Sequence, residues 1–301
     1  MNTSIIAIGF CGLDRLCLLP HIPIDDKVKI NEYLEQGGGP AATAAYTAAR
    51  LGIKTAFIGA VGDDSVGAII RKGLQEGGID TQYLVERSDS TSPIGFCWVD
   101  QQSGKRSIAW THGNAMPLEP GEIPFAAIRD ADAIHLDGHQ GDAALEAAEL
   151  ASHTATHVSL DAGTIVPNIE RMLELADIVI ASEKFAATMT GFGDPKEAVK
   201  NLFGMGFTNF AGVTLGEKGS IGYDGKQFYF QPSFKVDVKD TTGAGDTYHG
   251  AFLASYVKCL PPQECMRRAA AAAAIKCTAL GGRTAIPDMK TLEQFLKQHS
   301  S

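Results

Sequence analysis

The sequence predicts one α/β fold, a mostly parallel central sheet flanked by helices, carrying a small second β-sheet. Three observations lead there. Short β-branched runs alternate with alanine-rich or amphipathic segments, and two stretches interrupt that rhythm with strand-like alternation. The 301 residues, 45% hydrophobic and 20% charged, have the length and composition of a globular chain with a large core.

SIIAIGF, TAFIGAV, DAIHLDG, HVSLDAG, DIVIAS and FAGVTLG are compact apolar runs, as buried strands are. Between them PAATAAYTAARLG, DSVGAIIRKGLQEGG, DAALEAAELASH and PKEAVKNLFGMG follow a helical period. Such alternation makes a parallel sheet, and ligands of such sheets bind beyond the carboxyl ends of the strands. KVKINEYLEQ (27–36) alternates as a half-exposed strand, and residues 94–110 read as a hairpin turning at Ser103-Gly104. Paired, they form a small sheet projecting from the core. The core is therefore assigned to 1–12, 37–91 and 112–301, and the small sheet, placed as a lid, to 13–36 and 92–111. The alanine run Ala269–Ala274 lets a helix approach a neighbouring helix or a flat ligand closely.

A net charge of −9 argues against a nucleic-acid or anionic-membrane partner, since phosphate backbones need a basic face. The cysteines (Cys11, Cys17, Cys97, Cys259, Cys265, Cys277) show no CxxC spacing, so free thiols in a reducing compartment are expected. The apolar N-terminal run is broken by Asp14 and Arg15, and no stretch is long enough to span a bilayer. A cytoplasmic location is the expectation.

DTTGAGDTYHGAF (240–252) carries the most chemistry. Gly243 and Gly245 stand where a helix begins, although each glycine costs about 1 kcal/mol there relative to alanine. Exposed N–H groups at a helix start attract anions, and glycines let a phosphate approach the backbone. Asp246 would lie beside that anion, placed to deprotonate a hydroxyl. A Rossmann fingerprint would need glycine at Tyr248, and no GxxxxGK[ST] loop occurs. GGGPAATAAYTAARLG (37–52) sets three glycines before Pro40, and VTLGEKGS (213–220) ends a strand in a glycine turn. Asp137 and His139 are placed at a strand's carboxyl end facing the crevice, with Cys11, Trp110 and His112 as weaker candidates.

Together these motifs resemble the ribokinase/PfkB family of carbohydrate kinases. DTTGAGDTYHGAF is similar to its C-terminal signature, and GAVGDDSVG (59–67) with GGGPAATAA to its N-terminal one. VTLGEKGS resembles the family's nucleotide strand and CTALGGRTAIP (277–287) its closing segment. The resemblance implies an ATP-dependent kinase in which Asp246 is the base and Gly243, Ala244 and Gly245 receive the γ-phosphate, with Mg²⁺ bridging the phosphates. It implies that Asp14, Gly38 and Gly39 bind the sugar. It places Thr214, Gly216, Gly219 and Thr242 at the nucleotide, with Ala274 and Cys277 near adenine. Asp240 and Thr242, with the loop near Gly281, match a region where many members hold K⁺.

Two positions depart from the pattern. Ala42 stands where many members carry Asn, and ASEKFAATMTG has Ser182 and Phe185 in place of Asn and Glu. Glu183 remains as the acid for Mg²⁺ through water. Both departures are most similar to the sulfofructose kinase subgroup, with ketohexokinases more distant, implying a ketose-like, sulfonated or acidic sugar. Lys27, Lys29, Lys105, Arg106 and Arg283 are the candidate cations for such an anion, Lys27 being placed at the sugar. IAWTHGN and HLDGHQ carry no Arg of the kind expected to grip a sulfonate, so a sulfosugar is not assigned. The alternatives are a nucleoside kinase and a catalytically silent sugar sensor, the intact GAGD counting against the sensor. Phe96 and Trp98 share one strand face, from which a homodimer through the lid is expected.

Overall fold

The computed structural model describes residues 4–102, 106–206 and 208–299. The chain begins with β1 (Ser4–Ile8), β2 (Gly12–Leu19), β3 (Glu32–Gly38), α1 (Pro40–Arg50), β4 (Lys54–Gly62) and α2 (Ser65–Glu76). It continues through β5 (Ile79–Asp80), β6 (Leu84–Arg87), β7 (Ile94–Asp100), β8 (Arg106–Thr111), α3 (Phe125–Asp130) and β9 (Ala133–Leu136). Next come α4 (Asp142–Ser152), β10 (His157–Ala162), α5 (Ile169–Leu175), β11 (Ile178–Ser182), α6 (Glu183–Thr190) and α7 (Pro195–Phe203). The last third holds β12 (Phe210–Thr214), β13 (Ser220–Tyr223), β14 (Phe228–Gln231), α8 (Ala244–Tyr256), α9 (Pro262–Lys276) and α10 (Met289–Gln298).

The large sheet runs β14-β13-β12-β11-β10-β9-β1-β4-β5, with β6 also on β4. β13 and β14 are antiparallel; the rest pair in parallel, and every apolar run expected as a strand is one. Parallel strands need covering on both faces, hence their uninterrupted burial. One face packs on α4, α5 and α7 through Ala144, Ala147, Met172 and Val199, the other on α8, α9 and α10 through Phe252, Met266, Ala269 and Leu292. A Cβ at Gly250 would strike Ala44 O, so α1 and α8 meet at backbone distance. Ala269, Ala271 and Ala272 are wholly buried, and helix packing explains the alanine run. No helix among the described residues is long and apolar enough to cross a membrane.

The small sheet has the order β3-β2-β7-β8. Two expectations change here. Residues 27–31 are not strand, and β3 starts only at Glu32. β2 was not anticipated, because Asp14 and Arg15 interrupt its apolar pattern; they take opposite faces of the sheet instead. The expected turn at Ser103-Gly104 lies outside the described residues. Leu16, Cys97 and Val99 bury the inner face on Leu280 of the C-terminal loop, and Gln36 Oε1 accepts from Arg283 N at 3.1 Å. Across the register, Tyr33, Phe96 and Trp98 share the opposite, outward face.

Candidate active site

The strand-to-helix junction before α8 is built to leave backbone donors open. Gly243 is the N-cap in a left-handed conformation, φ 75°, and no side chain caps the helix. Ala244 N turns back to Thr241 O, so the N–H groups of Gly245 and Asp246 have no acceptor within the helix. A Cβ on Gly243 would lie 3.0 Å from Gly282 O, whereas one on Gly245 would meet nothing within 4 Å. Backbone shape thus accounts for Gly243. Packing gives no reason for Gly245, and room for a ligand does.

Asp246 follows on the first turn and borders a cavity of about 200 Å³ at the carboxyl ends of β9, β10, β11 and β12. Asp137, His139, Asp161 and His249 form its acidic and imidazole wall; Thr164, Ser182 and Thr214 carry hydroxyls on the other side. A larger cleft of about 380 Å³, lined by Tyr46, Ile69, Lys72 and Arg283, contains none of the glycine-turn residues. Burial in the cleft and the nearby Asp161 push the Asp246 carboxyl up to about 7, against the pull of His249. His249, one turn on, places Nε2 3.2 Å from Asp161 Oδ1. Burial alone would lower His249, but Asp161 holds it above the usual imidazole range. Sequence reasoning missed Asp161, Thr164 and His249; the position of HVSLDAG as a strand beside DAIHLDG was the available signal.

The remaining site residues divide into those that face the cavity and those the fold has engaged. Asp137 lines the cavity, yet it is only 3% exposed and accepts from Phe10 N at 2.8 Å, Ala41 N at 3.1 Å and His139 N at 2.9 Å. It fixes the start of α1 against the end of β1, and burial raises its pKa in spite of these donors and His139. Asp14 projects from the inner face of the small sheet into space left by Gly38 and Gly95. Burial raises its pKa, opposed by Arg283. Gly39 takes φ 99° as N-cap of α1, where a Cβ would strike Phe10 O. Ala42 is wholly buried in the core against Phe57 and Val61, away from the cavity lining.

Thr214 borders the cavity, while Gly216 and Gly219 shape the turn after β12 with φ 59° and 103°. Ala274 and Cys277 lie at the end of α9, where Cys277 O accepts from Lys239 N and Asp240 N. Asp240 is fully buried. Its carboxylate accepts from Thr242 N, Thr242 Oγ1 and Gly281 N, and its carbonyl accepts from Lys276 Nζ at 2.8 Å. Glu183 begins α6 with Oε1 4.0 Å from Lys218 Nζ, and does not line the cavity.

The expected cations behave differently from the sequence reading. Lys27 is exposed on irregular backbone before β3 and does not reach the cavity, and Lys29 is likewise exposed. Lys105 lies outside the described residues. Arg283 is 6% exposed and bound to Gly38 O and Thr43 Oγ1, so it ties the C-terminal loop to α1. Arg106 donates to Thr241 Oγ1 at 2.8 Å. None of these described cations lines the cavity. The six cysteines are free thiols, as expected.

This geometry has relatives. The sequence pattern of the pfkB family carbohydrate kinases matches residues 3–289. The chain belongs to that family. It is similar to the ribokinase of Haemophilus influenzae, 28% identical with 99% of each chain covered. It is 26% identical to the nucleoside kinase of Methanothermobacter thermautotrophicus, over 99% of this chain and 97% of that one. The structure of Arabidopsis thaliana ribokinase complexed with ribose and ATP superposes with a TM-score of 0.85 at 25% identity, covering 99% of both chains. As a pfkB kinase the protein is an ATP-dependent phosphotransferase with a ribokinase-like fold. These relatives do not single out the sulfofructose kinase subgroup.

Proposed function

We propose that this pfkB kinase phosphorylates a hydroxyl of a small uncharged sugar, with Asp246 as the base. The observation that carries this reading is the pairing of Gly245, whose missing side chain faces open space, with a carboxylate raised to about 7 on the next residue. A carboxylate with that affinity for protons can accept one from an attacking hydroxyl near neutral pH. The open N–H groups of Gly245 and Asp246 hold negative charge as it shifts, aided by the positive end of α8. ATP supplies the phosphoryl group and Mg²⁺ offsets its charge. The oxygen donors at the mouth, Ser182, Thr214 and Asp246, suit a hard dication, with Glu183 reached through water. Thr242, Gly216 and Gly219 face the nucleotide in this reading, with Ala274 and Cys277 bordering its base.

The substrate enters between the cavity and the inner face of the small sheet, which acts as a lid bearing Asp14. Gly38 and Gly39 let the sugar approach the backbone. Asp137, Asp161 and Asp246 make an acidic wall without lysine or arginine, so a neutral polyol fits better than a sulfonated or acidic ketose. A nucleoside is the second reading. A row of rings, Trp110–His112 at 4.5 Å, His112–Phe10 at 5.5 Å and Phe10–His139 at 5.8 Å, leads from the lid to the cavity and offers a base an aromatic ledge. The deciding experiment measures ADP release on a panel of aldoses, ketoses, nucleosides and sulfonated sugars. A neutral sugar should give the highest kcat/KM. A sulfonated sugar leading the panel overturns the charge argument, and ADP release unmoved by any compound favours the sensor.

For the monovalent cation, we infer that the Lys276 ammonium supplies the positive charge beside Asp240 that K⁺ would otherwise bring. For assembly, the outward face of the lid, with Tyr33 55%, Phe96 42% and Trp98 36% exposed, supports a homodimer.

A further inference from the structure

Behind Asp246, three side chains from three elements converge. His135 on β9, Asp161 on β10 and His249 on α8 bring ligating atoms within 4.8 Å of one another. They are 1%, 8% and 5% exposed. His249 Nε2 and Asp161 Oδ1 stand 3.2 Å apart, the spacing of two donors that share one ion at about 2.0–2.1 Å with near-tetrahedral angles. His135 Nδ1 lies 3.2 Å from Ser159 Oγ. That contact holds the ring and leaves Nε2 free, the outer-shell arrangement of metal-binding histidines.

His135 Nε2 is buried without a partner, as is His249 Nδ1. Leaving a buried polar atom without a partner is destabilising, since it has given up its water. The Asp161–His249 pair would be complete without His135, so the pair does not explain that ring; a shared ligand does.

We propose that His135, Asp161 and His249 bind a borderline transition dication of the zinc(II), cobalt(II) or nickel(II) class. Two imidazoles and one carboxylate suit these ions, whereas Mg²⁺ prefers oxygen donors, so the site is separate from the nucleotide's Mg²⁺. Asp161 and His249 also line the cavity, which gives water access to a fourth position. One carboxylate leaves such an ion with a net positive charge, and Asp246, three residues before His249 on the same helix face, offsets it. The inference stands on these three side chains and not on the role given to Asp246.

The test uses chelator-treated, nucleotide-free enzyme titrated with Co²⁺ in excess Mg²⁺. One equivalent should bind per chain with the visible absorption of four- or five-coordinate cobalt, and Zn²⁺ should displace it. His135→Ala should weaken binding by more than about 10-fold and abolish the band. Its circular dichroism and nucleotide binding should match wild type; if it does not fold, His249→Asn takes its place. Absence of the band, its loss to Mg²⁺ alone, or its survival in a folded variant overturns the proposal.

Discussion

Arg106 Nη1, on the edge strand of the small sheet, donates to Thr241 Oγ1 at 2.8 Å, five residues ahead of Asp246. The bond joins the small sheet to the turn that opens α8. Both residues are exposed, so it adds little to global stability, on the order of 0.5–1 kcal/mol. With the small sheet acting as the proposed lid, its effect should fall on closure. Arg106→Ala should leave thermal stability nearly unchanged and raise the sugar KM about 2–5-fold, roughly 0.5–1 kcal/mol of closure energy. Unaltered KM values for sugar and ATP would show that the contact does not serve the lid.

Gly243 and Gly245 separate a structural glycine from a functional one. Gly243→Ala forces a Cβ into a left-handed conformation against Gly282 O, a loss of about 1–2 kcal/mol of stability. Gly245→Ala meets no protein atom and should keep or slightly raise the melting temperature. Its kcat/KM should fall about 100-fold or more, because a methyl then occupies the place of an anion. A Gly245→Ala enzyme of normal activity would remove that turn from the reaction.

The architecture was legible because parallel strands announce themselves: SIIAIGF, HVSLDAG and FAGVTLG are buried on both faces and have no polar break. The glycine turn was legible because glycines at a helix start are costly without a ligand. β2 was not, since Asp14 and Arg15 point to opposite sides of a sheet exposed on one face, which blurs the hydrophobic pattern. Nor was the wall behind Asp246. His135, Asp161 and His249 are far apart in sequence and meet only through the strand order β10-β9-β1 and the packing of α8. Charge was misleading in the same way: Arg283, a candidate cation for an anionic sugar in the sequence, is a buried group bonded to Gly38 O and Thr43 Oγ1 in the fold.

Asp246 should set the acid limb of the pH profile. Its pKa, raised to about 7 by burial and Asp161, leaves the base protonated below that pH. In metal-free enzyme, kcat/KM should fall tenfold per pH unit below about 7, where an unperturbed aspartate would hold activity to about pH 4. The sign for stability is opposite. Ionising a carboxyl whose folded pKa exceeds its unfolded one costs nothing below about pH 4, and the cost is complete above 7. Asp246→Asn should therefore lose at least about 1,000-fold in kcat. It should bind ATP normally and be more stable than wild type at pH 8 by about 1–2 kcal/mol, the open cleft screening the rest. That gain should vanish near pH 4. Near-normal turnover would falsify the role of Asp246.

Lys276 gives a test of cation dependence. Its ammonium is fully buried and donates to Asp240 O, while burial lowers its pKa against the pull of Asp240. With that charge built in, kcat should be the same in K⁺, Na⁺ and tetramethylammonium buffers. Lys276→Met removes the charge and should lose activity in tetramethylammonium that K⁺ partly restores. A wild-type enzyme that needs K⁺ would place the cation site beyond the reach of Lys276.

The outward face of the lid predicts the assembly state. Tyr33 and Trp98 flank Cys17 in register, and Phe96 lies opposite Arg15, whose guanidinium rests 5.8 Å from its ring. β8, exposed along its whole length, adds an edge that no other strand pairs among the described residues. An apolar face flanking an open strand edge is hazardous in a lone chain and stable when covered by a second copy. Light scattering should give a dimer at micromolar concentration. Phe96→Lys with Trp98→Lys should give a monomer whose core retains its melting temperature to within about 3 °C, since both rings are already outside the core. The monomer should also show a raised sugar KM, because each lid loses the neighbour that steadies it. A wild-type chain that runs only as a monomer would leave the apolar face to another role.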